Sequence, residues 1–193
     1  MEAASVTAPA TTGATASASL RAVLPTGAMR VGVIIGAIGV AVASFVTFGV
    51  GGHGLVGAVL CSVFVLLAAI DWKHRILPNM IVLPATGAVA LIVAATPSYD
   101  FFTHLWAGLG LFGFFLVFAL ALRGSFGMGD AKAGFLIGMG LGIATFAAML
   151  AAFGALFFAA LWVLLRGGLA ARKQSLPFGP FLALGVIFGF FFA

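Results

Sequence analysis

Along this chain apolar residues come in long unbroken runs, without the two-residue alternation of a half-buried strand or the 3.6-residue stripe of a surface helix. Short clusters of polar, Gly and Pro residues interrupt the runs. Cutting the chain at those clusters leaves seven segments: 31–50, 54–70, 78–96, 101–122, 131–146, 149–165 and 177–193. A run of about 20 apolar residues crosses the roughly 30 Å hydrocarbon core of a bilayer as a helix. The pattern therefore predicts an all-α membrane bundle of about seven spans. The fifth and sixth segments need a separate argument, because residues 133–165 carry no charge. As one helix they would be roughly 50 Å long at 1.5 Å per residue, so a turn is expected between Gly142 and Gly154. Residues 1–25, rich in Ala, Ser and Thr, lack the apolar stretch of a signal peptide. They are expected to form a disordered cytoplasmic tail, with residues 26–193 as one transmembrane domain.

Composition agrees with the pattern. The chain is 64% hydrophobic and 7% charged, against about 25% charged residues in soluble domains. A net charge of +5 points in a membrane protein to topology before nucleic acid, and no nucleic-acid partner is expected. With the N-terminus inside, every Lys and Arg falls on the cytoplasmic side: Arg21 and Arg30, Lys73 and Arg75, Arg123 and Lys132, then Arg166, Arg172 and Lys173. This asymmetry, with Asp100 outside, supports seven spans with the N-terminus in and the C-terminus out. Merging residues 131–165 into one span would break it.

Candidate chemistry is sparse. The single cysteine, Cys61, excludes an intramolecular disulfide and any Cys-x-x-Cys zinc site. The topology places His53, His74 and His104 on different membrane faces, so they are not expected to converge on a metal, and no cofactor is expected. Of four carboxylates, Glu2 is in the tail and Asp100 is outside, which leaves Asp71 and Asp130 on one face. Two carboxylates sharing a proton can activate water against a peptide bond. The alternative is ordinary: Asp71 beside Lys73 or Arg75 in a solvated loop, and Asp130 capping a helix. Gly134, Gly138 and Gly142 repeat at spacing four and mark one helix face that a neighbour can approach closely. Internal packing accounts for such a face, and a docking groove for a substrate helix is the other reading.

The stretch Gly127-Met128-Gly129-Asp130 resembles the G-x-G-D motif of intramembrane aspartyl proteases. Asp71-Trp72-Lys73-His74-Arg75-Ile76-Leu77-Pro78-Asn79 is similar to the aspartate, basic loop and Pro-Asn helix start of the type IV prepilin peptidases. Pro177-Phe178-Gly179-Pro180-Phe181-Leu182-Ala183-Leu184-Gly185 resembles that family's last helix. The resemblance implies a multi-pass protein of the bacterial inner membrane that removes short basic leaders from prepilin or pseudopilin subunits at the cytoplasmic face. It implies Asp71 and Asp130 as the catalytic pair, with Gly127 and Gly129 giving the backbone freedom to bring them together. Lys132 would then hold Asp130 ionised or bind a membrane-lipid phosphate. Long members carry a Cys-x-x-Cys domain and methylate the new N-terminus. Here only Gly51-Gly52-His53 joins the first two expected spans, so methylation is not expected. The rival functions are a transporter or proton channel with two edge aspartates, and a non-catalytic assembly factor for a pilus or secretion system.

Overall fold

The computed structural model describes residues 22–121, 127–167 and 176–193. Most of the expected tail lies outside them, as do Arg21, Arg123, Phe126, Arg172 and Lys173. Seven α-helices follow in order: α1 (Ala28–Phe48), α2 (Gly52–His74), α3 (Asn79–Ala95), α4 (Phe101–Ala121), α5 (Met128–Leu141), α6 (Thr145–Gly167) and α7 (Gly179–Phe192). A 3-10 turn, Gly142–Ala144, joins α5 to α6. The all-helical class and the seven expected segments are present, and there is no strand among the described residues. The long apolar helices make this a multi-pass membrane protein.

The boundary inside the longest apolar run falls at the early edge of the expected window. Gly142 adopts φ 56°, ψ −124°, a conformation that costs little only without a Cβ. The His104 ring also fills the space such a Cβ would need. Residues 145 and 146, expected at the end of the fifth span, therefore begin α6 instead. The reversal is real: Phe153 on α6 returns to the level of Phe115, with ring centroids 6.3 Å apart. Phe115 in turn packs over Gly134, midway along α5.

Two helices, α2 and α5, form the buried centre. In α2 a row of Val56, Leu60, Phe64, Leu67 and Ile70 is inaccessible, and in α5 nearly every residue from Ala131 to Leu141 is buried. The peripheral helix α1 buries only Ser44 and exposes Val31, Ile35, Ile38, Val42 and Val46 to the hydrocarbon. Lipid tails are as apolar as these side chains, so the helices associate by packing and by interhelical hydrogen bonds. The Ser44 hydroxyl donates to the Gly54 carbonyl at 2.9 Å and the Ser62 hydroxyl to the Ala37 carbonyl at 3.0 Å, tying α1 to α2. At 14 residues each, α5 and α7 are about 21 Å long, shorter than the hydrocarbon core. The N-terminus of α7 meets the last turn of α2 and that of α5 the link that follows it, and that meeting defines the site.

Candidate active site

Because no helix breaker intervenes before Pro78, α2 continues to His74, four residues past the expected end. Asp71 therefore sits in a helical turn and not in a solvated loop. Arg75 then closes the helix in the left-handed conformation, φ 55°, ψ 40°, uncommon for a residue with a Cβ. Asp71 is only 7% exposed. A carboxylate in the last turn faces the negative end of its own helix and needs a donor from elsewhere. The donor is the backbone of another helix: the Gly179 N–H, at the start of α7, donates to Asp71 Oδ2 at 2.6 Å.

Asp130 has the opposite setting. It is the third residue of α5, and its Oδ2 accepts the Gly127 N–H at 3.0 Å, the acidic half of a capping box. Here the helix dipole favours the negative charge. Asp130 is half-buried. The structure thus brings both carboxylates to one end of the bundle, from its two most buried helices. The described basic residues Arg30, Lys73, Arg75, Lys132 and Arg166 gather at the same end, while Asp100 lies at the other.

The neighbouring residues take roles that spacing alone does not give. Gly127 has an extended backbone, φ −94°, ψ 150°, open to any residue. Gly129 matters by contact: a Cβ there would lie 2.9 Å from the Leu77 carbonyl oxygen, so its absence lets the start of α5 sit against the link that follows α2. The Lys132 ammonium donates to Asn79 Oδ1 at 3.2 Å, joining the first turns of α5 and α3. The face bearing Gly134, Gly138 and Gly142 is filled by α4. A Cβ at Gly134 would meet the Phe115 ring at 2.6 Å, and one at Gly138 the Ala107 backbone at 2.4 Å. Among the described residues α4 occupies that face at Gly134 and Gly138, where internal packing is its role, while Gly142 also lies in the lining of a groove between α4 and α6.

The histidines also depart from expectation. His53 and His104 share the end opposite the aspartates, where the Tyr99 ring lies between them with centroids 4.2 and 4.7 Å away. His104 Nδ1 donates to the Met139 carbonyl at 2.9 Å, which fixes its tautomer and staples α4 to the end of α5. Among the described residues no three His, Cys, Asp or Glu side chains converge as a metal site would require.

The type IV leader peptidase family matches residues 58–164, more than half of the chain and including both aspartates. The chain belongs to that family. It is 32% identical over 159 residues to the prepilin leader peptidase/N-methyltransferase of Bacillus subtilis strain 168, covering 78% of this chain. The chain spans about 60% of the length of that relative. No solved structure matches. Within the leader peptidase family match lie most of α2, all of α3, α4 and α5, and most of α6, whereas Gly179 lies beyond its end. The sequence reading passed over Gly179: it stood inside the Pro-Phe-Gly-Pro pattern with no role attached, and only the folded chain carries it to Asp71.

Proposed function

We propose that this family member is an aspartic endopeptidase that removes the short basic leader of prepilin or pseudopilin subunits. It would cut at the cytoplasmic face of the inner membrane, just before the apolar helix of its substrate. The observation that carries the reading is the placement of Asp71 and Asp130 at one end of the bundle, Asp71 held by the N–H of Gly179 at the start of α7 and Asp130 in the first turn of α5. Family membership and the name of the Bacillus subtilis relative support the substrate class.

In the proposed reaction the pair holds one proton between two carboxylates. The ionised carboxylate takes a proton from water as the water oxygen bonds to the scissile carbonyl carbon. The protonated partner gives its proton to the carbonyl oxygen. Collapse of the tetrahedral intermediate breaks the C–N bond as one carboxyl gives its proton to the leaving amine and the other carboxylate takes a proton from a hydroxyl of the intermediate, which restores the carbonyl and leaves the pair with its one proton. Clustering of basic residues at this end follows the positive-inside rule and supports a cytoplasmic site. Methyl transfer is not part of the proposal: α1 and α2 are joined by Gly49, Val50 and Gly51 alone, which leaves no room there for a further domain.

The test is cleavage of prepilins from the same cell by membranes holding the wild type, Asp71→Asn or Asp130→Asn. Each Asn variant is expected to lose cleavage by at least about 10³-fold, as removal of one member of an acid–base unit does, while still inserting in the membrane. A variant that cuts at the wild-type rate would remove its residue from the pair.

A further inference from the structure

The face of α5 that looked open in the sequence is filled, but an open groove of the same kind lies nearby, between α4 and α6. It has a volume of about 560 Å³ and is walled by α4 from Ala107 to Phe114 and by α6 from Thr145 to Phe153, with Gly142 and Ile143 of the 3-10 turn closing one end. We infer that this groove seats the apolar helix of the substrate while its leader junction reaches Asp71 and Asp130. The inference rests on the proposed function.

Three observations support that occupant over lipid alone. The first is shape. On α4, Ala107 and Gly110 lie on one helical face, and a side chain added at Gly110 meets nothing within 4 Å. Small residues of this kind let a second helix backbone come close, while large apolar residues of α6 form the opposite wall.

The second is a polar atom without a partner. The Thr145 hydroxyl lies buried in the groove lining and makes no hydrogen bond among the described residues. A buried hydroxyl without a partner is costly in hydrocarbon. The hydroxyl is closed off from the groove as it stands, and a turn about the Thr145 Cα–Cβ bond brings it to a hydroxyl or amide on a packed helix, which a lipid tail does not offer.

The third is continuity with the site. The groove ends at Phe114 and Phe153. The Phe153 ring stacks on Phe178 with centroids 5.9 Å apart, and Phe115 meets the same ring at 5.8 Å. Phe178 directly precedes Gly179, whose N–H holds Asp71. From Thr145 to Phe153 the α6 wall is about 12 Å long at 1.5 Å per residue, a little over two turns of a bound helix. A helix lying there runs away from the aspartates, so its first residues, next to the leader, sit at the catalytic end.

The experiment uses the full chain in vesicles with a prepilin that the wild type cleaves. A photo-crosslinking residue is placed at Phe146 or Leu150 in the groove, or at Val46 on α1 and Leu91 on α3, which are exposed on other faces. Crosslinks to the prepilin helix are expected from the two groove positions and not from the other two. In parallel, Gly110→Leu fills the groove and is expected to raise KM for the prepilin about tenfold or more, as loss of a central contact does, with kcat changed much less. Gly87→Leu, at a site equally free of neighbours on α3, should leave both constants unchanged.

Crosslinks to lipid alone, equal crosslinking from all four positions, or an unchanged KM in Gly110→Leu would overturn the groove assignment while cleavage by the wild type still stands. Failure of the wild type to cut any prepilin would instead remove the functional reading, and the groove proposal with it.

Discussion

Replacing Gly179 with Ala tests the contact that sequence reading passed over. The added Cβ would sit 2.6 Å from the Asp71 Cβ and 3.0 Å from its Cγ and Oδ2. Carbon atoms in ordinary contact lie about 3.5–4.0 Å apart, so one side must yield by roughly 1 Å. The first turn of α7 is held by Phe178, whose ring packs on Phe115 and Phe153, and relief therefore falls mainly on Asp71. The 2.6 Å bond from the Gly179 N–H then opens, and the carboxylate loses the donor that offsets its place at the end of α2.

A misplacement of about 1 Å at a catalytic group costs on the order of 100-fold in rate, equivalent to roughly 2.7 kcal/mol of barrier. Overpacking of this kind lowers stability by about 1–3 kcal/mol. We expect Gly179→Ala to lower kcat for leader cleavage by about that factor, with little change in KM, because the groove between α4 and α6 is untouched. Single-turnover cleavage in membranes measures the chemical step, and thermal unfolding in detergent confirms that the bundle remains. Gly87→Ala, which meets no neighbour, is the control and should behave as wild type. A folded Gly179→Ala protein that cleaves within about threefold of wild type, a span too small for a 1 Å displacement, would refute the positioning role.

Other outcomes follow from the same geometry. Gly142→Ala must hold a Cβ at φ 56°, ψ −124° against the His104 ring, and should lower the unfolding temperature through a conformational cost of about 1–3 kcal/mol with the clash added. Gly138→Ala drives a Cβ to within 2.4 Å of the Ala107 backbone and should loosen α4 from α5 by about 1–3 kcal/mol, read by the same melt. In the link before α4, the Thr103 hydroxyl, helped by the Phe102 N–H, holds the Asp100 carboxyl below its usual range. A depressed folded-state value stabilises the fold above the unfolded value and is lost as pH falls through the folded one. The melting temperature should therefore decline less below about pH 4, the ordinary carboxylate value, in Asp100→Asn than in wild type.

The helices were legible because their signal is local: each apolar run states its own length, and basic residues mark one end of the bundle. Even the break in the longest run could be bracketed by length, and Gly142 lay at the bracket's edge. What spacing could not give was occupancy. Gly134 and Gly138 show a helix face made for close approach, but the partner is α4, and nothing within α5 names it. His53 and His104 stand 51 positions apart in the sequence and meet around Tyr99 only because α2 and α4 begin at the same end of the bundle. The residue types of the site were visible, since Asp71 and Asp130 are the two acids left on one face, whereas their supports were not.

Those supports explain why the two aspartates are not equivalent. Asp130 is held within its own turn, by the N–H three residues before it, at the end of a helix that favours negative charge. Its position travels with the first turn of α5. Asp71 stands at the unfavourable end of its helix, and its donor comes from 108 residues away. Its position depends on how α7 docks. A displacement of α7 at the Phe178 contacts therefore reaches Asp71 directly and Asp130 only through the pair.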